Sequence, residues 1–152
     1  MQGDSVESGL LAAGLIAVAF PLFAIFWVLI SGVLASMSGW PNLSDTFPGG
    51  ERPEGQALRG SVLKIGPVGE KNVTTLRPTA HGLYMSANPL FRFRRSPVLV
   101  PWNRIAYVKS HRVLWQRSVT FDLGGITTMR VRERVIETLR AHGVRVPTDA
   151  AA

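Results

Sequence analysis

The stretch LLAAGLIAVAFPLFAIFWVLISGVLA, residues 10–35, decides the fold class because none of its 26 side chains is charged. The uncharged region continues on both sides, from Glu7 to Asp45. About 20 apolar residues cross the hydrocarbon core of a bilayer, so this stretch can cross it with some tilt. The sequence therefore predicts a transmembrane helix over residues 10–37, after a short acidic tail over residues 1–9.

Two other kinds of segment can be long and apolar. A signal peptide has a basic leading region and an apolar run of about 7 to 15 residues, whereas this chain begins MQGDSVES, without Lys or Arg, and has a longer run. A core helix of a soluble protein is rarely apolar on every face. Both comparisons favour a retained single-pass span.

The charge distribution predicts the orientation of this span. All 17 Lys and Arg residues follow it, beginning with Arg52, while Asp4 and Glu7 precede it. Positive residues near a span tend to stay in the cytoplasm. We therefore expect the N-terminus outside and the C-terminal domain in the cytoplasm. The absence of cysteine fits a cytoplasmic domain and also permits an exported one.

Residues 38–60 are rich in Gly, Pro and polar residues and are interpreted as a linker that contains one short helix. Trp40, Leu43 and Phe47 recur at helical spacing, and Pro41 suits a first helical turn. One interpretation makes this an interfacial helix, with Trp40 and Phe47 as membrane anchors. The alternative packs the same side chains onto the following domain.

Residues 61–146 have the pattern of a small antiparallel β domain closed by one helix. Turn dipeptides at His81–Gly82 and Gly124–Gly125 separate segments that alternate in polarity. No segment long enough for a helical crossover lies between these strands, so the sheet should be antiparallel. The alternating segments are NVTTLRPT (72–79), GLYMSA (82–87), RIAYVKS (104–110), SVTFDL (118–123) and ITTMRV (126–131).

The stretch LFRFRRSPVLVPW, residues 90–102, is predicted to form a strand, a turn and a second strand. Strand alternation would place Leu90, Arg92 and Arg94 on one face and Phe91, Phe93 and Arg95 on the other. Half of the stretch would then lie in the core and half on the surface.

The segment RERVIETLRAHG, residues 132–143, has the apolar spacing of an amphipathic helix, through Val135, Ile136 and Leu139. The expected class is therefore α+β: a transmembrane helix, then a partly open barrel of six to seven antiparallel strands capped by a C-terminal helix. Residues 147–152 are expected to be a disordered tail.

The run GLYMSANPLFRFRRSPVLVPWNRI, residues 82–105, follows GW at 39–40 and FP at 47–48. This pattern resembles a group of uncharacterised bacterial membrane-anchored proteins, and the order of elements resembles the pleckstrin-homology-like superfold. The resemblance implies a pleckstrin-homology-like domain at a bacterial inner membrane. It also implies a domain that binds and does not catalyse.

The titratable side chains form no catalytic or metal-binding motif. His81, His111 and His142 stand about 30 residues apart without an HExxH-like pair, and Asp122 is the one carboxylate well inside the strand region. We therefore expect no catalytic residue, no metal site and no cofactor.

The β domain is strongly basic, because residues 61–140 contain 14 Lys or Arg and four Asp or Glu. Nucleic acid is one class of partner for such a surface. A membrane span instead holds the domain beside anionic lipid headgroups, which attract basic residues near the surface. We therefore expect lipid and no nucleic acid. The residues predicted to bind lipid or a partner are Arg92, Arg94, Arg95, Lys109 and Arg112. Lys109 and Arg112 become neighbours of the other three if the next strands pair with the strand that carries those three.

Two functions follow from these features. The first is a membrane-anchored, non-catalytic binding module whose basic face engages anionic headgroups or an acidic partner. The alternative is a structural or scaffold subunit of a larger membrane assembly, with a membrane protein as its partner. An enzyme ranks third because no acid and base pair can be nominated.

Overall fold

The computed structural model describes residues 2–148, and the chain begins with one long helix. Helix α1 spans Gln2–Met37 and contains Pro21. Its 36 residues measure about 54 Å at about 1.5 Å per residue. The helix begins before the predicted residue 10, and Asp4 in its first turn complements the positive end of the helix dipole. The predicted tail lies outside the described residues from residue 149 onward.

Helix α1 is long and apolar enough to span a membrane, as the sequence predicted. None of its most apolar 18-residue window is buried within the protein. A core helix of a soluble domain would be covered by other elements. Near its C-terminal end the small residues Ser31, Gly32 and Ala35 are buried, so this end of the helix contacts the domain.

A short helix, α2, spans Trp40–Thr46 within the predicted linker. It is joined to α1 through Gly39, whose φ of 76° lies in the left-handed region that glycine favours. A Cβ atom at Gly39 would also lie 3.2 Å from Cβ of Thr127. Trp40 and Leu43 are buried, so α2 belongs to the packed domain.

The strands of the described residues form two antiparallel sheets. The first sheet has the order β1-β4-β5-β6 and the second has the order β3-β2-β9-β8-β7. The strands are β1 (Leu58–Arg59), β2 (Val62–Ile65), β3 (Val68–Gly69), β4 (Thr74–Pro78), β5 (Gly82–Ala87), β6 (Val98–Pro101), β7 (Ile105–Val113), β8 (Gln116–Leu123) and β9 (Thr127–Arg132).

The predicted α+β class is confirmed, and the two sheets do not close into one barrel. Both predicted hairpins form, β4 with β5 and β8 with β9. The two-residue strands β1 and β3 are too short to show alternation in the sequence. The sequence predicted neither of these two strands nor β2, and the segment 90–95 that was counted as a strand is not one.

One hydrophobic core joins both sheets and the short helices. Leu76 and Leu83 contribute from the first sheet, and Phe121 and Met129 from the second. Helix α3, Arg134–Ala141, covers the core with three buried side chains. These are Val135, Ile136 and Leu139, as predicted from their spacing.

Candidate functional site

The predicted basic strand forms a loop instead, and we name residues 88–97 the β5–β6 loop. The side chain of Asn88 accepts a hydrogen bond from the backbone N–H of Leu90 at 3.2 Å and caps a 3-10 helix at Pro89–Phe91. A turn follows, in which the N–H of Arg95 donates to the carbonyl oxygen of Arg92 at 2.9 Å. The prediction of a strand over residues 90–95 was therefore wrong, because Asn-Pro initiates a turn.

The β5–β6 loop packs against the C-terminal third of α1. The indole Nε1 of Trp27 donates to the carbonyl oxygen of Leu90 at 3.1 Å, and the rings of Trp27 and Phe91 lie 5.4 Å apart. One turn further along α1, a Cβ atom at Gly32 would lie 3.0 Å from the ring of Phe93. The phenylalanines predicted to enter the core therefore contact α1, and the absence of a side chain at Gly32 makes room for the loop.

The same loop presents apolar and basic side chains to its surroundings. Leu90 is 70% exposed and Phe93 is 49% exposed. Arg92 and Arg94 are also exposed, and Arg94 has a φ of 58°, which non-glycine residues rarely adopt. This combination can insert apolar groups into a membrane interface while the guanidinium groups bind anions.

Arg95 has a different environment from its two neighbours. It is buried, and its Nη1 lies 2.7 Å and 2.9 Å from the two carboxylate oxygens of Glu70. Thr74 donates to the same carboxylate at 2.8 Å, and the guanidinium lies 5.5 Å from the ring centroid of Trp40. Arg95 is therefore a structural residue, and we remove it from the predicted lipid-binding set.

Both predicted membrane anchors pack onto the domain, which was the alternative interpretation. Trp40 is fully buried, and its Nε1 donates to the carbonyl oxygen of Ser96 at 2.8 Å. Phe47 is half-buried against the core, and a Cβ atom at Gly124 would lie 2.6 Å from its ring. The expectation that Trp40 anchors the chain in the interface is corrected, because its side chain is fully enclosed.

Lys109 and Arg112 lie on β7, the edge strand of the second sheet, and both are exposed. Strand β6 is the edge of the first sheet and does not pair with β7. The expected pairing that would have made these residues neighbours of Arg92 and Arg94 is therefore absent. The predicted basic residues belong to two separate surfaces.

The basic surface of β7 affects His111. Its Nε2 lies 3.0 Å from Nη2 of Arg130, so the neutral ring can accept a hydrogen bond there. Partial desolvation lowers the pKa of His111 from its ordinary value of 6.5, and the positive charges of Arg130 and Lys109 lower it further.

Among residues 2–148 no three His, Asp or Glu side chains are close enough to bind a metal ion.

The turn between β7 and β8 carries exposed apolar residues that the sequence analysis did not select. We name Val113, Leu114 and Trp115 the hairpin tip; all three are exposed, Trp115 by 82%. The sequence contains a pattern that indicates this surface, because an apolar triplet stands between the basic residues Arg112 and Arg117. The hairpin tip is the second surface on which a partner could bind.

Trp27 was also missed as part of the site, although tryptophan near the end of an apolar span is a signal for the membrane interface. Arg92 and Arg94 are exposed, as predicted, but they lie on a loop that packs against α1.

The resemblance to a bacterial family stays a prediction. No family model, curated protein or solved structure matches this chain.

Proposed function

We propose that this chain is a single-pass, membrane-anchored and non-catalytic binding module of a bacterial inner membrane. Its N-terminus lies outside, and its β5–β6 loop engages anionic lipid headgroups on the cytoplasmic surface. One observation carries the proposal: the loop that exposes Leu90, Phe93 and two arginines is packed on the membrane helix itself, through Trp27 and Gly32.

The length of the apolar run supports a position of the loop at the membrane interface. Its 26 residues, 10–35, measure about 39 Å along a helix, against about 30 Å of hydrocarbon. The excess of about 9 Å, or roughly six residues, lets Ile30 to Ala35 emerge into the interface. Trp27 would then lie at the boundary where tryptophan is enriched, with the loop beside it.

The charges of the loop support an anionic partner. Each basic side chain close to an anionic surface contributes about 1 kcal/mol of attraction, so Arg92 and Arg94 together contribute about 2 kcal/mol. The attraction fades within a Debye length of about 8 Å at physiological salt, so only residues held near the surface count. Contact with α1 supplies that proximity.

The proposal is tested by measuring the depth of the loop. The chain has no cysteine, so Leu90→Cys gives a single labelling site on an exposed side chain. An environment-sensitive dye there should be quenched by interfacial spin-labelled lipids in nanodiscs, and more strongly when anionic lipid is present. Replacing Arg92 and Arg94 by Ser should abolish the increase caused by anionic lipid.

A control variant of equal charge separates local contact from net charge. Lys64→Ser with Arg145→Ser removes two exposed positive charges that lie outside the loop. We expect it to keep the anionic-lipid effect. A dye at residue 90 that is quenched by aqueous iodide and not by spin-labelled lipid would refute the proposal.

The scaffold function is the second candidate, and the hairpin tip is the observation that favours it. Three consecutive exposed apolar residues end in Trp115, beside the exposed basic residue Arg112. Tryptophan is enriched where interfaces concentrate binding energy. A fitting partner has an apolar pocket rimmed by carboxylates. Only this function predicts a partner that co-purifies stoichiometrically in detergent.

A further inference from the structure

A cavity of about 660 Å³ lies on the first sheet beside the β5–β6 loop, and none of its lining residues belongs to α1 or to the hairpin tip. It is enclosed by the outer face of the sheet, by the linker near Gly50 and Arg52, and by the start of the β5–β6 loop. Binding sites for small ligands have volumes of about 300 to 1,000 Å³. The cavity is therefore large enough for one small polar ligand.

The strand register builds the floor of the cavity. Arg59 on β1 is opposite Thr75 on β4, and Thr75 is opposite Ser86 on β5. Directly opposed residues point to the same face of a sheet, and neighbours along a strand point to opposite faces. Leu76 is buried in the core, so the row Arg59, Thr75 and Ser86 faces away from it. Tyr84, two residues before Ser86, lies on the same outer face.

The linker contacts this outer face through Gly55 and lines the cavity through Gly50 and Arg52. Nη1 of Arg77 donates to the carbonyl oxygen of Gly55 at 2.8 Å, which fixes the linker on the sheet. Tyr84 is 3% exposed and lines the cavity, where its hydroxyl group can donate a hydrogen bond to a ligand.

The walls of the cavity are positively charged. Arg52, Arg59 and Arg92 line it, and none of its lining residues is Asp or Glu. The nearby carboxylate of Glu70 is already paired with Arg95. Guanidinium groups bind phosphate in bidentate geometry, and hydroxyl groups donate to the remaining oxygens. Three positive charges with no carboxylate among the lining residues favour a dianionic group over a monoanionic one.

We propose that this cavity is a binding site for a phosphate monoester, carried by a lipid headgroup. The phosphate is held by Arg52, Arg59 and Arg92, with the hydroxyl group of Tyr84 as a further donor. The inference that a lipid carries this phosphate rests on the function proposed above, since Arg92 belongs both to the cavity and to the loop beside α1. The phosphate chemistry does not depend on it, because a soluble phosphate ester would meet the same groups.

The test is calorimetric titration of the full chain in non-ionic detergent. The probes are short-chain phosphatidic acid, glycerol 3-phosphate and short-chain phosphatidylcholine. Both monoesters should bind, and phosphatidylcholine should not. Arg52→Gln and Arg59→Gln should each weaken binding about tenfold, the loss expected for one charged hydrogen-bonding partner. Tyr84→Phe keeps the ring and should weaken binding by a smaller factor.

The matched controls are Lys64→Gln and Arg145→Gln, which remove exposed positive charges that do not line the cavity. Equal affinity losses in these controls and in Arg52→Gln and Arg59→Gln would overturn the proposal, as would the absence of binding by both monoesters. Tight binding of phosphatidic acid alone supports a lipid ligand. Tight binding of glycerol 3-phosphate alone supports a phosphate site but refutes the inference that a lipid carries the phosphate.

The two proposals can fail independently. Arg52 and Arg59 lie outside the β5–β6 loop, so replacing them should leave the dye at residue 90 at its interfacial depth. Loss of phosphate binding with unchanged dye depth is the expected result for these variants. A dye exposed to water, together with intact phosphate binding, would refute only the membrane contact of the loop.

Discussion

The pair of Glu70 and Arg95 shows why residues of one type in one stretch have different roles. Both side chains are almost fully enclosed, and the carboxylate receives hydrogen bonds from Arg95 and from Thr74. Burying a charge is costly unless it is paired and hydrogen-bonded, and this geometry supplies both conditions. The partners are 25 residues apart, so the local sequence gives no sign that Arg95 pairs with Glu70.

Replacing Glu70 by Gln should destabilise the domain by about 3 to 5 kcal/mol, because it leaves the charge of Arg95 buried without a counter-charge. Denaturant unfolding in detergent, followed by tryptophan fluorescence to which the buried Trp40 contributes, measures this loss. Replacing Glu70 and Arg95 together should cost less than the sum of the two single changes. Glu51→Gln is the exposed control and should stay within about 0.5 kcal/mol. Additive losses would show that the two side chains are not coupled.

At the scale of elements, two tryptophans on short elements differ in what surrounds them. Trp40 on α2 is enclosed by the core, whereas Trp115 at the turn of the β7–β8 hairpin is 82% exposed. The hairpin is held by its strand pairing from Ile105 to Val113, which does not need the indole. The tip is therefore available for a partner without cost to the fold.

Trp115→Ala should change the free energy of unfolding by less than about 0.5 kcal/mol, while Trp40→Ala should cost about 3 to 5 kcal/mol. The same Trp115→Ala variant should lose any partner that cross-links to the wild-type chain in native membranes. Denaturant unfolding and co-purification give the two measurements. A Trp115→Ala chain that unfolds as easily as Trp40→Ala would mean that the tip is packed within the fold.

The strands that the sequence predicted correctly share one property: apolar residues alternate along them. The alternation of Val119, Phe121 and Leu123 predicted β8, and all three side chains are buried. The period was misleading in the β5–β6 loop, because Phe91 and Phe93 alternate as in a strand but pack on α1. Their partner lies about 60 residues earlier, and no local pattern encodes such a contact. The cavity was missed for the same reason, since Arg52 and Arg59 meet Arg92 only through the fold.

At the scale of the whole molecule, binding of the β5–β6 loop to cytoplasmic headgroups requires the β domain to be on the cytoplasmic side. The chain contains no cysteine, so one introduced cysteine reports on one side of the membrane. Gly3 is suitable near the N-terminus, because a Cβ atom there meets nothing within 4 Å. Thr148 is suitable at the other end because it is exposed.

The positive-inside rule predicts that a membrane-impermeant thiol reagent labels Gly3→Cys in intact bacteria and labels Thr148→Cys only after permeabilisation. All Lys and Arg residues follow α1, so the reverse orientation would carry the whole basic domain outward. Labelling of both variants in permeabilised cells is the control. Labelling of Thr148→Cys in intact cells would refute the orientation and, with it, binding to cytoplasmic headgroups. A shortened chain that has lost the Gly3→Cys label would identify α1 as a cleaved leader.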